Sequence, residues 1–189
     1  MVTVERVKKT EAALNTLELL GIFLVLLAAF SFQFILRELP CPLCLLQRVG
    51  FIGMALGLTL NLRFGFRPSH YAVTLLSAMF TSFVALRQIS LHIVPGTGHY
   101  GSAIFGLHMY TWSFILSAAV MLYTVILLSI DRQYLVLREA KAHWRKLSFV
   151  LLVILLLLAL ANGAATFLEC GLDFCPGNPT DYLELHQNS

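Results

Sequence analysis

The chain has 189 residues, of which 58% are hydrophobic and only 12% charged, whereas an ordinary soluble domain is roughly half apolar and about a quarter charged. Mean hydropathy is +0.80, as expected where lipid, which does not solvate an ion, excludes charge from most of the sequence. The formal net charge of +3 comes from basic residues sorted along the chain rather than gathered in a patch, which argues against a nucleic-acid-binding protein.

Five apolar stretches are long enough to cross the hydrocarbon core, which takes about 20 residues as a helix. They are Leu17–Leu36, Leu43–Leu62, Tyr71–Val94, Tyr110–Ile130 and Leu147–Leu168. The first has the length of a full span and no small-residue cleavage site after it, so it reads as a span and not as a removed signal. The fourth and fifth contain no charged residue, whereas the second holds Gln47 and Arg48 and the third Arg87 and Gln88. The expected fold is an all-α membrane protein, a single bundle of five transmembrane helices followed by a tail over 169–189.

Orientation follows from the Lys and Arg residues beside the spans. Arg6, Lys8 and Lys9 precede span one, Arg63 and Arg67 follow span two, and Arg132, Arg138, Lys141, Arg145 and Lys146 lie between spans four and five. All fall on one side, which marks it as cytoplasmic. The opposite side carries Arg37 with Glu38, Glu169, Asp173, Asp181 and Glu184. The N-terminus is therefore expected inside and the C-terminus outside. Cys41 and Cys44 follow span one, and Cys170 and Cys175 follow span five. Both sites are an odd number of crossings from the cytoplasm, so both face the oxidising side, where cysteines favour disulfides over metal sites. Four cysteines allow three pairings, and the sequence alone leaves all three open.

Pro40 and Pro42 flank Cys41, and proline is well tolerated in the first turn of a helix. Cys41 should therefore cap span two, with Cys44 on its first turn. Free amides and the dipole of a helix N-terminus stabilise a thiolate, and Cys-x-x-Cys spacing adds to this. Arg48 lies four residues beyond Cys44 and seven beyond Cys41, which places all three on one helix face. Arg87 in span three lies at a similar depth, roughly 8 to 10 Å below the outer surface. No outer-half carboxylate lies within the spans to pair with these two cations. A ligand with carbonyl oxygens would satisfy them.

The run Cys41-Pro-Leu-Cys44-Leu-Leu-Gln47-Arg48 opening span two, with Arg87-Gln88 late in span three, resembles the DsbB family of disulfide-generating membrane proteins. The resemblance covers spans one to four. It implies a four-helix quinone-reductase-like core, here with one extra C-terminal span, in the bacterial inner membrane. It also implies a quinone cofactor (ubiquinone or menaquinone) drawn from the membrane pool. The reducing partner it implies is a periplasmic thioredoxin-fold thiol oxidant of the DsbA type. Carried over, Cys41 and Cys44 are the quinone-side pair and Arg48 the quinone-contacting arginine, with Gln47, Arg87 and His92 as further candidate cofactor-binding residues. Cys170 and Cys175 become the pair that receives electrons from the partner. Four-span members keep that second pair in the loop between spans three and four. Here that loop, about His92 to Met109, has no cysteine, and the pair follows the extra span as in the five-span, DsbI-like branch. A local Cys170–Cys175 bridge requires the backbone to turn at Gly171.

The cysteine-free loop carries Pro95, Gly96, Gly98 and Gly101 and then Ile104, Phe105, Leu107, Met109, Tyr110 and Trp112. It reads as an interfacial segment dipping into the headgroups. His92, His99 and His108 match no metal motif by spacing, so no metal site is expected, and histidines that orient or protonate a ligand are the better reading. The function expected is a membrane thiol:quinone oxidoreductase. Thiols of the partner reduce Cys170–Cys175, that pair reduces Cys41–Cys44, and Cys44, nearer the membrane, delivers electrons to the quinone beside Arg48. Two rivals are a metal-handling or transport protein using outward His and Cys, and a non-catalytic membrane subunit whose disulfides are staples.

Overall fold

A computed structural model of the chain describes residues 4–94, 96, 98–134, 142–171, 175 and 182. Helix α1 spans Val4–Phe34, α2 Pro42–Phe64, α3 Pro68–His92, α4 Met109–Leu128 and α5 Ala142–Cys170. Both α2 and α3 start on a proline, and the residue before each is extended, Cys41 at ψ 160° and Arg67 at ψ 141°. This is the local rule at work: proline supplies a helical φ and no amide, while its ring pushes the preceding residue out of the helical region.

All five helices are long and apolar enough to cross a membrane: Thr10–Phe34, Pro42–Phe64, Pro68–His92, Met109–Leu128 and Trp144–Cys170. The five expected spans each coincide with one of them. Two ends differ. Helix α1 begins at Val4, ahead of its apolar run, because hydropathy reports where lipid begins and not where helical hydrogen bonding does. Helix α5 continues to Cys170, past the expected end at Leu168. It stops only at Gly171, whose φ of +60° is costless without a Cβ. The other departure from helix is a two-residue hairpin, β1 Ala103–Ile104 with β2 Leu107–His108, paired antiparallel. Its tip residues Phe105 and Gly106 have φ of +51° and +79°, the backbone of a tight hairpin turn. The Phe105 ring is 93% exposed there.

Helix α2 packs against α1, α3 and α5, while α4 sits mainly on α3 and touches α1 sparsely. The side chains exposed on these helices are largely Leu, Ile, Val and Phe, such as Leu20, Leu24 and Leu27 on α1 and Leu156, Leu157 and Leu160 on α5. Apolar groups outside suit lipid as the surrounding solvent. Many polar groups lie inside and are paired, because hydrocarbon offers them no partner. Asn15 donates to Leu58 O at 3.1 Å and accepts from Asn61 Nδ2 at 3.2 Å. Asn61 Oδ1 in turn accepts from Arg67 N at 3.2 Å, tying the α2–α3 turn to α1.

The α2–α3 contact is close because α2 offers glycine where α3 offers small hydroxyl residues. Gly50, Gly53 and Gly57 lie against Thr81, Ser77 and Thr74. A Cβ at Gly57 would stand 2.6 Å from His70 O and 2.9 Å from Thr74 N, backbone atoms that have little room to retreat. This is the small-residue packing that lets membrane helices approach without a hydrophobic driving force. Gly163 on α5 has nothing within 4 Å of such a Cβ. Gly57→Ala should therefore destabilise the protein by about 1–3 kcal/mol through overpacking, read as a lower Tm in detergent, with Gly163→Ala leaving Tm unchanged or raising it. Equal Tm values for the two variants would show that the helices are not held by this contact.

Candidate functional site at the cysteine end of the bundle

Cys41 is the N-cap of α2, and its Sγ accepts the backbone N–H of Cys44 at 3.0 Å. The two cysteines form a disulfide with Cα atoms 4.9 Å apart. Cys41 is buried, at 4% exposure, while Cys44 is half-buried. The sulfur of Cys41 therefore rests on a helix N-terminus, where amide dipoles favour negative charge when the bond opens. Gln88 of α3 adds a side-chain donor, its Nε2 lying 3.1 Å from Cys41 Sγ and 3.6 Å from Cys44 Sγ. Its Oε1 accepts from Gln47 Nε2 at 2.7 Å. Gln47 thus holds the Gln88 amide with its NH2 turned toward the disulfide.

Arg48 lies one turn deeper and is 7% exposed. Its guanidinium donates to Gln33 Oε1 at 2.5 Å and to Ala29 O at 2.8 Å, both on α1. It also stands 4.8 Å from the centroid of the Phe30 ring, within cation–π range. Arg87 does not join this group. It is exposed on α3, whereas its neighbour Gln88 is buried against the disulfide. One residue rotates a helix by about 100°, and here that rotation carries Arg87 away from the disulfide that Gln88 faces. Gln33, Gln47, Arg48 and Gln88 are the polar groups gathered from three helices.

Cys44, Gln47 and Arg48 line one wall of a cleft. Its other walls are Val25, Leu26, Ala29 and Phe32 of α1, Phe51 of α2, the loop residues Glu38, Leu39, Pro40, Tyr100 and Gly101, and the start of α4. That mostly apolar lining, with a few donors on one side, suits a small organic ligand. Two loops form the rim. The Ser102 hydroxyl donates to Glu38 Oε1, and Tyr100 OH donates to Leu39 O at 2.5 Å. Burial pushes the Tyr100 phenol up to about 12, with the Glu169 and Glu38 carboxylates adding to the shift. It therefore remains a donor throughout the neutral range. His92 is half-buried at the end of α3, with its Nδ1 2.9 Å from Gln88 O. It stacks on Tyr110 at 5.3 Å, Tyr110 on His108 at 5.4 Å and His108 on His99 at 4.7 Å. This aromatic column stands beside the cleft, and only Tyr110 of the four lines it.

The second pair, Cys170 and Cys175, is also a disulfide, with Cα atoms 4.5 Å apart. Cys170 was expected in the polar tail, yet it is the last residue of α5 and is 5% exposed. The turn at Gly171, with Gly171 N donating to Phe167 O at 2.7 Å, brings Cys175 back to it. Deeper on α5, Asn162 Nδ2 donates to Leu45 O at 3.2 Å, pinning the helix to the first turn of α2. The cysteine ends of α2 and α5 are thereby held at one end of the bundle. The same extension of α5 overturns the expectation that no carboxylate lies in this half of the spans. Glu169 is buried in the last turn of α5 at 1% exposure. From the tail, Tyr182 accepts from Gln33 Nε2 at 3.3 Å.

Spanning-length helices and two disulfides at one end, one of them bordering a mostly apolar cleft, define a multi-pass membrane protein built around paired cysteines. Residues 11–101 match the family described as Disulfide bond formation protein DsbB, a stretch that runs from α1 to the loop before β1 and includes Cys41, Cys44, Gln47, Arg48 and Gln88. Over these three helices the chain is similar to that family of disulfide bond formation membrane proteins. No curated protein and no solved structure matches the chain.

Sequence reasoning took Arg87 for the site and passed over Gln33, Gln88 and Glu169. A glutamine near the end of an apolar run was the available signal for the first two. If Gln88 stabilises an opened Cys41, Gln88→Leu should raise the pH midpoint of alkylation of the reduced Cys41–Cys44 pair by about one to two units. This is the worth of a hydrogen bond to a charged group. An unchanged midpoint would leave Gln88 as a packing residue.

Proposed function

We propose that the chain is a membrane thiol:quinone oxidoreductase of the bacterial inner membrane that generates disulfides for a periplasmic thioredoxin-fold partner of the DsbA type. The observation that carries this reading is that Cys44, Gln47 and Arg48 line the same cleft. A reducible sulfur, two hydrogen-bond donors and flat apolar walls meet there. The donor set fits a quinone, whose ring is apolar and whose two oxygens are acceptors. When bound, a quinone supplies a two-electron, two-proton sink. Arg48 and Gln47 would hold its oxygens, while Val25, Leu26, Phe32 and Phe51 would enclose its ring.

The chain's own residues perform the remaining steps. A thiolate of the partner attacks the Cys170–Cys175 disulfide and forms a mixed disulfide, which the partner's second thiol resolves. The reduced tail pair then exchanges with Cys41–Cys44. Cys41 is the better leaving thiolate, because it holds the Cys44 amide and the Gln88 side chain. That leaves Cys44, the member lining the cleft, as the sulfur that faces the acceptor. The charge asymmetry of the basic residues supports a cytoplasmic N-terminus and a periplasmic C-terminus. That orientation puts both pairs where a periplasmic partner reaches them. The exposed Phe105 at the hairpin tip suits the headgroup layer on that side.

The test is reduction of a soluble short-chain quinone by the purified protein with a reduced thioredoxin-fold donor, followed by quinone absorbance. Turnover is expected, and its absence with any dithiol donor would contradict the proposal. Arg48→Lys should raise the KM for quinone about tenfold or more, because an ammonium lacks the planar fork of donors that holds both α1 and a ligand oxygen. Thiol exchange at the cysteines should survive the change. An unchanged quinone KM would remove Arg48 from the ligand site.

A further inference from the structure

Glu169 is the polar group at this end of the molecule that the steps above leave without a task. It is 1% exposed, and neither carboxylate oxygen has a hydrogen-bond partner among the described residues. A buried carboxyl in that condition is costly and calls for an explanation. Its place supplies one. It precedes Cys170 in the last turn of α5, and the Asn162 contact to Leu45 O holds that helix against the start of α2. Its charge interacts with Arg48 from α2 and with Tyr100 from the loop, and both of these line the cleft that Cys44 borders. Among the described residues, Glu38 also interacts with Tyr100, and Tyr182 with Arg48. Arg48 gives two of its donors to Gln33 and Ala29, and neither Glu169 oxygen accepts from it.

We propose that Glu169 carries the proton during thiol exchange between the two cysteine pairs, an inference that rests on the function proposed above. In that exchange one thiol of the reduced tail pair gives up its proton, and the thiolate attacks a sulfur of Cys41–Cys44. That disulfide breaks, a mixed disulfide forms, and the second tail thiol loses its proton and resolves it. Two protons leave the tail pair, and two are taken up by the thiolates left on Cys41 and Cys44. The electron pair moves with the sulfur exchange, so the Cys41–Cys44 disulfide is the oxidant of the step. Cys41 and Cys170 are 4% and 5% exposed, which restricts water as the proton carrier. A carboxyl beside Cys170 accepts each proton and returns it to the departing thiolate.

The test compares wild type, Glu169→Gln and Glu169→Asp, each as the purified full chain, for quinone reduction between about pH 5.5 and 8.5. One donor is reduced thioredoxin, which needs the tail pair. The other is dithiothreitol acting on a Cys170→Ala, Cys175→Ala background, where the tail pair is absent. With thioredoxin, Glu169→Gln should lose at least about tenfold in rate at the acid end and recover steeply with pH, as hydroxide replaces the lost base. Glu169→Asp, which keeps a carboxyl, should retain the wild-type profile at a reduced rate. With dithiothreitol, Glu169→Gln should change nothing. A wild-type rate and profile for Glu169→Gln with thioredoxin would overturn the inference while leaving the proposed function intact. Equal loss with both donors would also overturn it, by placing Glu169 in the structure of the cleft. Wild type that reduces quinone with neither donor would overturn the function itself.

Discussion

A guanidinium inside an apolar helical bundle must be given acceptors, and the arrangement of the cysteine end follows from how Arg48 obtains them. Gln33 and the Ala29 carbonyl come from α1, the Phe30 ring lies over the cation, and Tyr182 of the tail reaches the same glutamine. These contacts fix α1 against α2 at the level where the cleft opens. Because Arg48 is one turn below Cys44, fixing the guanidinium also fixes the disulfide relative to the cleft wall. A shorter or apolar residue there would remove the polar tie between α1 and α2 and the donor facing the cleft together.

The two disulfides differ in what surrounds them, and the difference suits a division of labour. Cys41–Cys44 has a helix N-terminus, the Gln88 amide and a cleft beside it. These favour an opened, charged state and access by a small ligand from within the membrane. Cys170–Cys175 closes around Gly171 at the end of a helix, where the chain leaves the bundle. One sulfur is buried with the bundle and the other belongs to the departing chain. In the proposed function such a bridge would receive electrons on one side and pass them inward on the other.

Much of this was legible in the sequence, for physical reasons that also mark where legibility ends. Lipid imposes span length and excludes charge, so five helices follow from five apolar runs. Proline at position 42 dictates a helix start, and Cys41 becomes its cap. Helical phase was not legible: Arg87 and Gln88 are adjacent, and composition does not say which of them faces inward. The end of α5 was misplaced because hydropathy falls at Glu169 while the helix continues until a residue free to take positive φ, at Gly171. Two residues of extra helix turned a tail carboxylate into a buried one and moved Cys170 into the bundle. The glycine face at Gly50, Gly53 and Gly57 was equally silent, since it acquires meaning only when Thr81, Ser77 and Thr74 are seen opposite.

The central claim is that the two cysteine pairs, carried by helices at opposite ends of the chain, exchange electrons directly. Cys41→Ala with Cys175→Ala leaves one cysteine of each pair, Cys44 and Cys170. Mild oxidation of this variant, followed by proteolysis and mass spectrometry, reads the claim without donor or quinone. The account predicts that most molecules form a Cys44–Cys170 disulfide joining peptides from α2 and α5. Two free thiols, open to alkylation in the unfolded protein after prolonged oxidation, would contradict it.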